Sequence, residues 1–239
     1  MIELRAGNRV RAIELASAPA RPCTRAARQF ETSLVQEAVN IKTACMRLEF
    51  LLYANFALTD WFVTLTYDDW HLPPGFDAAR KNQPAYFRKL RAHRRAAGLP
   101  FDYVYVMEGL HGEHRVHHHF VTKRAPGDTR QLFADLWQKG YVDIQTIGEF
   151  GGYRAVARYM TKEPRKTGKL RVGARMWTPS KGLIQPERND TELAPGEHYQ
   201  PPTGATAFEG AKFPERIENT FGTFTTFDFE IPEITTSHI

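Results

Sequence analysis

The run Val116-His117-His118-His119-Phe120-Val121 and, forty residues on, Tyr159 and Lys162 are the residues of this chain whose types and spacing could do chemistry. Successive side chains of a strand point to opposite faces. His117 and His119 can therefore grip one metal ion while His118 points away. Tyr159 and Lys162 stand three apart on a predicted helix and share a face, which sets a candidate nucleophile beside a cation. A phenol, with an unperturbed pKa of about 10, is a weak nucleophile at neutral pH and needs help from its surroundings. A metal on a phosphate would polarise the phosphoryl oxygen, and Lys162 would pair with phosphate or steady a developing phenolate. The two features together suggest a metal-assisted tyrosine nucleophile.

The elements that must position these residues are legible. Residues 1–33 carry six arginines with little periodicity and read as an irregular basic arm. From Leu34, apolar residues recur at three- and four-residue steps through Ala38, Ile41, Cys45, Leu48 and Leu52, marking a long amphipathic helix. Trp61–Tyr67 is β-branched and aromatic and reads as a buried strand. Pro84 opens a basic helix that Gly98 closes, and Tyr103–Glu108 is a second strand. The loop 109–115 turns the chain back so that Val116–Thr122 lies antiparallel beside it, bringing the Glu108 carboxylate near the histidine end of its partner. A helix carrying Leu132, Phe133, Leu136 and Trp137, a strand Tyr141–Ile147 and a last helix after Gly151-Gly152 follow, with Pro164 stopping that helix. Strand, helix, two strands, helix, strand, helix predicts an α+β class: a central antiparallel sheet flanked by helices. Residues 34–184 form the expected catalytic domain, and 185–239, rich in Pro, Thr and Glu, an acidic and largely irregular extension. Within it, 220–231 alternates enough to add an edge strand.

Charge is polarised along the chain. Residues 185–239 carry ten acidic and three basic side chains, so the overall +5 hides +12 on residues 1–184. Residues 80–95 hold seven basic side chains without an acid, and 154–175 hold eight against Glu163. Such clusters suit a phosphate backbone and nominate Arg88, Lys89, Arg91, Arg94, Arg95, Arg154, Arg158, Arg165 and Lys166 as DNA contacts. Two cysteines leave no room for a disulfide framework or a Cys-rich zinc site, and no apolar run is long enough to span a bilayer. A cytoplasmic protein with no membrane partner is expected.

Three motifs, in the right order, resemble those of the HUH endonucleases, the superfamily of rolling-circle replication initiators, relaxases and single-strand transposases. Phe62-Val-Thr-Leu-Thr-Tyr67 looks like the first motif, and Val116-His117-His118-His119-Phe120 like the metal-binding pair of histidines about a bulky residue. Ala155-Val-Ala-Arg-Tyr159-Met-Thr-Lys162 looks like the third, which holds the nucleophile. The resemblance implies the replication-initiator fold, Mg²⁺ or Mn²⁺ held by His117, His119 and Glu108, and attack by Tyr159, assisted by Lys162, on single-stranded DNA. The 5′ end would become linked to tyrosine. It also implies single-stranded origin DNA, often a hairpin, and a host helicase as partners in initiating replication of a phage, plasmid or mobile element. One departure matters. The two-tyrosine phage initiators carry a second tyrosine where this chain has Ala155, and Tyr153 is about 240° around the helix from Tyr159. The chain reads as a single-tyrosine enzyme, so strand closure would need another protomer, water or a second cycle.

Other readings stand beside this one. A transposase or relaxase would share the chemistry; relaxases usually place the nucleophile near the N-terminus, whereas Tyr159 follows the histidines. Two histidines and a carboxylate also serve non-haem iron in cupin-like barrels, yet Phe-Val-Thr-Lys-Arg after His119 lacks the further ligands, and helices between strands fit a barrel poorly. A non-catalytic DNA-binding module using the same basic surface is the alternative from another class.

Overall fold

The computed structural model describes residues 1–17, 34–109, 115–162, 176–219 and 222–232. In chain order these form β1 (Ile2–Ala6), β2 (Arg9–Ser17), α1 (Leu34–Asn55), β3 (Trp61–Tyr67), α2 (Phe76–Arg80), α3 (Asn82–Ala96), β4 (Tyr103–Glu108) and β5 (His117–Thr122). Then come α4 (Arg130–Trp137), β6 (Gly140–Thr146), α5 (Gly152–Met160), β7 (Thr178–Pro179), β8 (Glu187–Asp190), β9 (Thr206–Ala207), a 3-10 turn at Phe208–Gly210, β10 (Glu215–Asn219) and β11 (Gly222–Glu230). The class is α+β with two antiparallel sheets, and the chain divides into two compact units, Thr32–Ile184 and Met1–Glu31 with Gln185–Ile239.

In the Thr32–Ile184 unit the sheet runs β6-β3-β5-β4-β7. Register follows from the side-chain parity of β3, which is shared between β5 and β6. Thr64 pairs with His119 and Asp143, and Thr66 with His117 and Tyr141. Paired residues share a face of the sheet. One face carries Trp61, Val63, Leu65, Tyr105 and Phe120 and is covered by Tyr86, Phe87 and Leu90 of α3 and Phe133 and Trp137 of α4. The other carries Phe62, Val104 and Val121 and is covered by Leu48, Leu51 and Leu52 of α1 and Val156, Ala157 and Met160 of α5. Because both faces are covered, β3 reads as an almost continuous apolar run rather than an alternating one. Thr129 caps α4 by accepting from the Leu132 amide at 3.0 Å.

Two glycines make tight approaches possible. Gly109 (φ +98°) ends β4 where a Cβ would stand 2.8 Å from Val116 Cα, and Gly140 (φ +139°) starts β6 where a Cβ would collide with Thr66 O and Asp68 N. Residues 110–114, with His111 and His114, lie outside those described.

The second unit corrects the expectation at both ends of the chain. Residues 1–17 are not an irregular arm: β1 and β2 pair in register from Ile2↔Ile13 to Ala6↔Arg9. Nor is the tail largely irregular. The sheet order β10-β11-β2-β1-β8 puts β11 inside the sheet, not at its edge, and pairs it with the N-terminal strand. The physical reason is that neither stretch has a core alone. Val10 and Ala12 on β2 bury against Phe227 and Phe229 on β11, so alternation short of a hydrophobic face in either segment becomes one in the pair. The arginines that masked this alternation are answered locally. Arg9 and Arg11 both reach Asp228, and Arg9 lies 3.6 Å over the Phe208 ring. No described helix is long and apolar enough to cross a membrane.

Candidate functional site

The β5 strand presents His117 and His119 to one face of the sheet and His118 to the other. On the α5 side, the β3 threonines that pair with them in register also bond them: Thr64 Oγ1 lies 3.0 Å from His119 Nδ1 and Thr66 Oγ1 3.0 Å from His117 Nδ1. Glu108, paired in register with His117, reaches diagonally to His119, its Oε2 2.9 Å from Nε2. Its Oε1 takes a 2.7 Å ion pair from Lys162 Nζ.

Tyr159 completes the group from α5. Its ring meets His119 edge-on at 5.1 Å and 88°, and Phe62 and Phe150 at 5.7 and 5.3 Å, so aromatic contacts on three sides fix its direction. Lys162 Nζ stands 3.6 Å from the Tyr159 ring centroid and also hydrogen-bonds the tyrosine. One lysine therefore links the phenol to the carboxylate.

The electrostatics favour a charged Glu108–Lys162 pair. Burial pushes the Glu108 carboxyl up, but hydrogen bonds from His119 and Lys162 outweigh it and hold the pKa down at about 2. Lys162 loses from burial as well, yet its bonds to Glu108 and Tyr159 carry its pKa above the usual lysine value. Burial, then the neighbouring His119, lowers the pKa of His117, which keeps its imidazole neutral at pH 7.

Among the described residues no three His, Cys, Asp or Glu side chains stand as a ready-made metal cluster. The donor chemistry of His117, His119 and Glu108 nevertheless fits a divalent ion. Both imidazoles have Nδ1 engaged by a threonine hydroxyl, the outer bond that orients a ligating histidine and leaves Nε2 as the donor nitrogen. The 2.9 Å between His119 Nε2 and Glu108 Oε2 matches the roughly 3 Å expected of neighbouring ligands each about 2.1 Å from an octahedral ion.

On the opposite face, His118 is fully buried. Its Nε2 lies 2.7 Å from Tyr67 Oη and its Nδ1 2.7 Å from Tyr105 Oη, while Asn82 Nδ2 donates to Tyr67 Oη at 2.9 Å. Burial drives the His118 pKa down to about 3 and raises both tyrosines, so the trio is neutral. Tyr67 and Tyr105 are thus sheet-core residues. Tyr153 is one as well, buried and donating to Phe56 O at 2.8 Å.

Not all nominated DNA contacts lie near this group. Arg88, Lys89, Arg91 and Arg95 are exposed on α3, which covers the His118 face of the sheet, and Lys89 donates to Leu136 O at 3.0 Å. Arg94 is a correction: it is buried, pairs with Asp128 at 2.6 Å and donates to Lys123 O at 2.7 Å. A count of basic residues cannot distinguish a buried brace from a phosphate contact. Arg154 on α5 is ion-paired with Glu49 at 3.1 Å, whereas Arg158 is exposed. Arg165 and Lys166 lie outside the described residues.

The residues missed by sequence reasoning are Thr64, Thr66, Phe62 and Phe150. The signal existed for the threonines: Thr-x-Thr at the spacing of His-x-His, on a neighbouring strand. An aromatic and histidine group of this kind, set in a helix-covered antiparallel sheet, invites comparison with known families.

Residues 60–164 match the family of replication-associated proteins of the ORF2 type.

That segment runs from just before β3 to just past α5 and includes Glu108, His117, His119, Tyr159 and Lys162. The match to a replication-associated family supports a role in replication initiation and, with it, DNA binding. Neither curated proteins nor solved structures gave a match.

Proposed function

We propose that this protein nicks and rejoins single-stranded DNA through Tyr159 to initiate rolling-circle replication. The observation that carries the reading is the Tyr159 ring packed against His119, with Lys162 joining the tyrosine to Glu108. In the reaction, Tyr159 Oη loses its proton and bonds to the scissile phosphorus. The bond from phosphorus to the upstream 3′ oxygen breaks, and that oxygen leaves as a hydroxyl. The 5′ end stays on the enzyme as a phosphotyrosine ester, whose energy permits rejoining by the reverse exchange.

Each side chain has a part. The cage of Phe62, Phe150 and His119 aims the phenol and limits its rotation, supplying orientation. Lys162 places positive charge beside the phenol, where it favours the phenolate and faces an incoming phosphate. Glu108, ionised across the physiological range, holds Lys162 in position. His117, His119 and Glu108 would hold Mg²⁺ or Mn²⁺, which when bound polarises the phosphoryl oxygen. Thr64 can donate or accept, so it accommodates either tautomer of His119: Nε2–H toward Glu108, or Nδ1–H with Nε2 as a ligand. Origin DNA would be the substrate and a host helicase the partner that extends the opened strand.

The test is incubation with a pool of single-stranded oligonucleotides and Mn²⁺, followed by denaturing electrophoresis. A covalent adduct that disappears with Tyr159→Phe and with EDTA is expected. An adduct that survives Tyr159→Phe would overturn the assignment of the nucleophile.

A further inference from the structure

Tyr141 is an exposed aromatic residue on the face of the sheet that carries the candidate site. It opens β6, the edge strand of the sheet, and pairs in register with Thr66, which pairs in turn with His117, itself opposite Glu108. Tyr141, Thr66, His117 and Glu108 thus form one row across four strands. The α5 helix covers Tyr159 and its cage but leaves Tyr141 73% exposed. Gly140, locked against Thr66 O and Asp68 N, pins the start of β6 to the end of β3, so the ring stands on a fixed backbone. At the same end of the sheet Trp70, three residues beyond β3, is 95% exposed.

From this placement we infer that Tyr141 is a base-stacking position for the single-stranded DNA served by the site, with Trp70 a second one beside the same strand ends. The inference rests on the proposed function and names how the strand is held. A large ring kept in water on a rigid edge strand, in the row of the candidate site, suits the π-face that every base presents. Charge orients the strand. Exposed Asp143 lies on the same face one row along, next to Thr64, and repels phosphate from β6, whereas Lys162 lies in the Tyr159 group and attracts it. Bases over β6 and backbone toward Lys162 satisfies both. The other acids near Trp70 are already partnered, Asp68 with His71 and Asp69 with Arg115.

The experiment is fluorescence anisotropy of a labelled oligo-dT 30-mer with the full chain in EDTA, which reads binding without metal or cleavage. Tyr141→Ala and Trp70→Ala should each weaken binding by about five- to a hundredfold, the range one stacked base is worth, while Tyr141→Phe, which keeps the ring, binds as wild type. Unchanged affinity for Tyr141→Ala overturns the inference. So does an equal loss in Tyr141→Phe, which would mean a hydroxyl contact, or a change in sedimentation on Tyr141→Ala, which would mean that the β6 edge meets another protein. Failure of the nicking reading is separate: it would appear as wild-type protein that binds the origin strand and forms no adduct.

Discussion

On one face of β5, His118 is enclosed by Tyr67 and Tyr105, both nitrogens hydrogen-bonded and its charge suppressed by burial. On the other face, one residue away in either direction, His117 and His119 each give Nδ1 to a threonine and line a group containing a carboxylate, a lysine and a phenol. The residue type is the same and strand parity alone separates them. The comparison teaches that a polar side chain on a fully covered face is used up by the fold, whereas one beside an ion pair and an oriented phenol keeps its chemistry. Each face can be attacked separately.

The largest effect expected on the covered face comes from Arg94→Ala. It leaves the buried Asp128 carboxylate without its 2.6 Å partner and should cost about 3–5 kcal/mol in urea unfolding. Arg88→Ala, exposed on the same helix, should stay within about 0.5 kcal/mol. His118→Leu keeps the volume but strands the Tyr67 and Tyr105 hydroxyls, for a loss of about 2–3 kcal/mol. On the site face, Thr64→Val should leave stability nearly unchanged while weakening Mn²⁺ binding about 10- to 100-fold by isothermal titration, because the bond that orients His119 is gone. If Thr64→Val instead unfolds the protein, the two faces do not differ in kind. The smallest effect is on pH. The Glu108 pKa is depressed to about 2, so its contribution to stability is complete above its unfolded value near 4.5 and is lost as pH falls from there through 2. The difference in Tm between wild type and Glu108→Gln, measured in EDTA, should shrink over that window and be flat above it.

Much of this was legible in the sequence. Parity in the run His117–His119 fixes which histidines share a face, and a short loop between two strands brings Glu108 alongside them. Tyr159 and Lys162 follow from helical spacing. What could not be read depends on register between strands or on burial. The bonds from Thr64 and Thr66 need the β3–β5 alignment, and the tyrosines about His118 sit on two different strands. Arg94 counted as a phosphate contact because charge in a sequence carries no depth. The N-terminal hairpin was hidden because β2 finds its hydrophobic complement in Phe227 and Phe229, more than two hundred residues away. Local pattern does not reach that far.

The most direct test of the account sets the two faces against each other in one assay. His118→Asn and His119→Asn are compared for covalent adduct formed with single-stranded DNA and Mn²⁺, each yield divided by the folded fraction. The account predicts that His119→Asn loses the adduct by about a hundredfold or more, while His118→Asn, though less stable, keeps the wild-type yield per folded molecule. Loss in His118→Asn with retention in His119→Asn would contradict it.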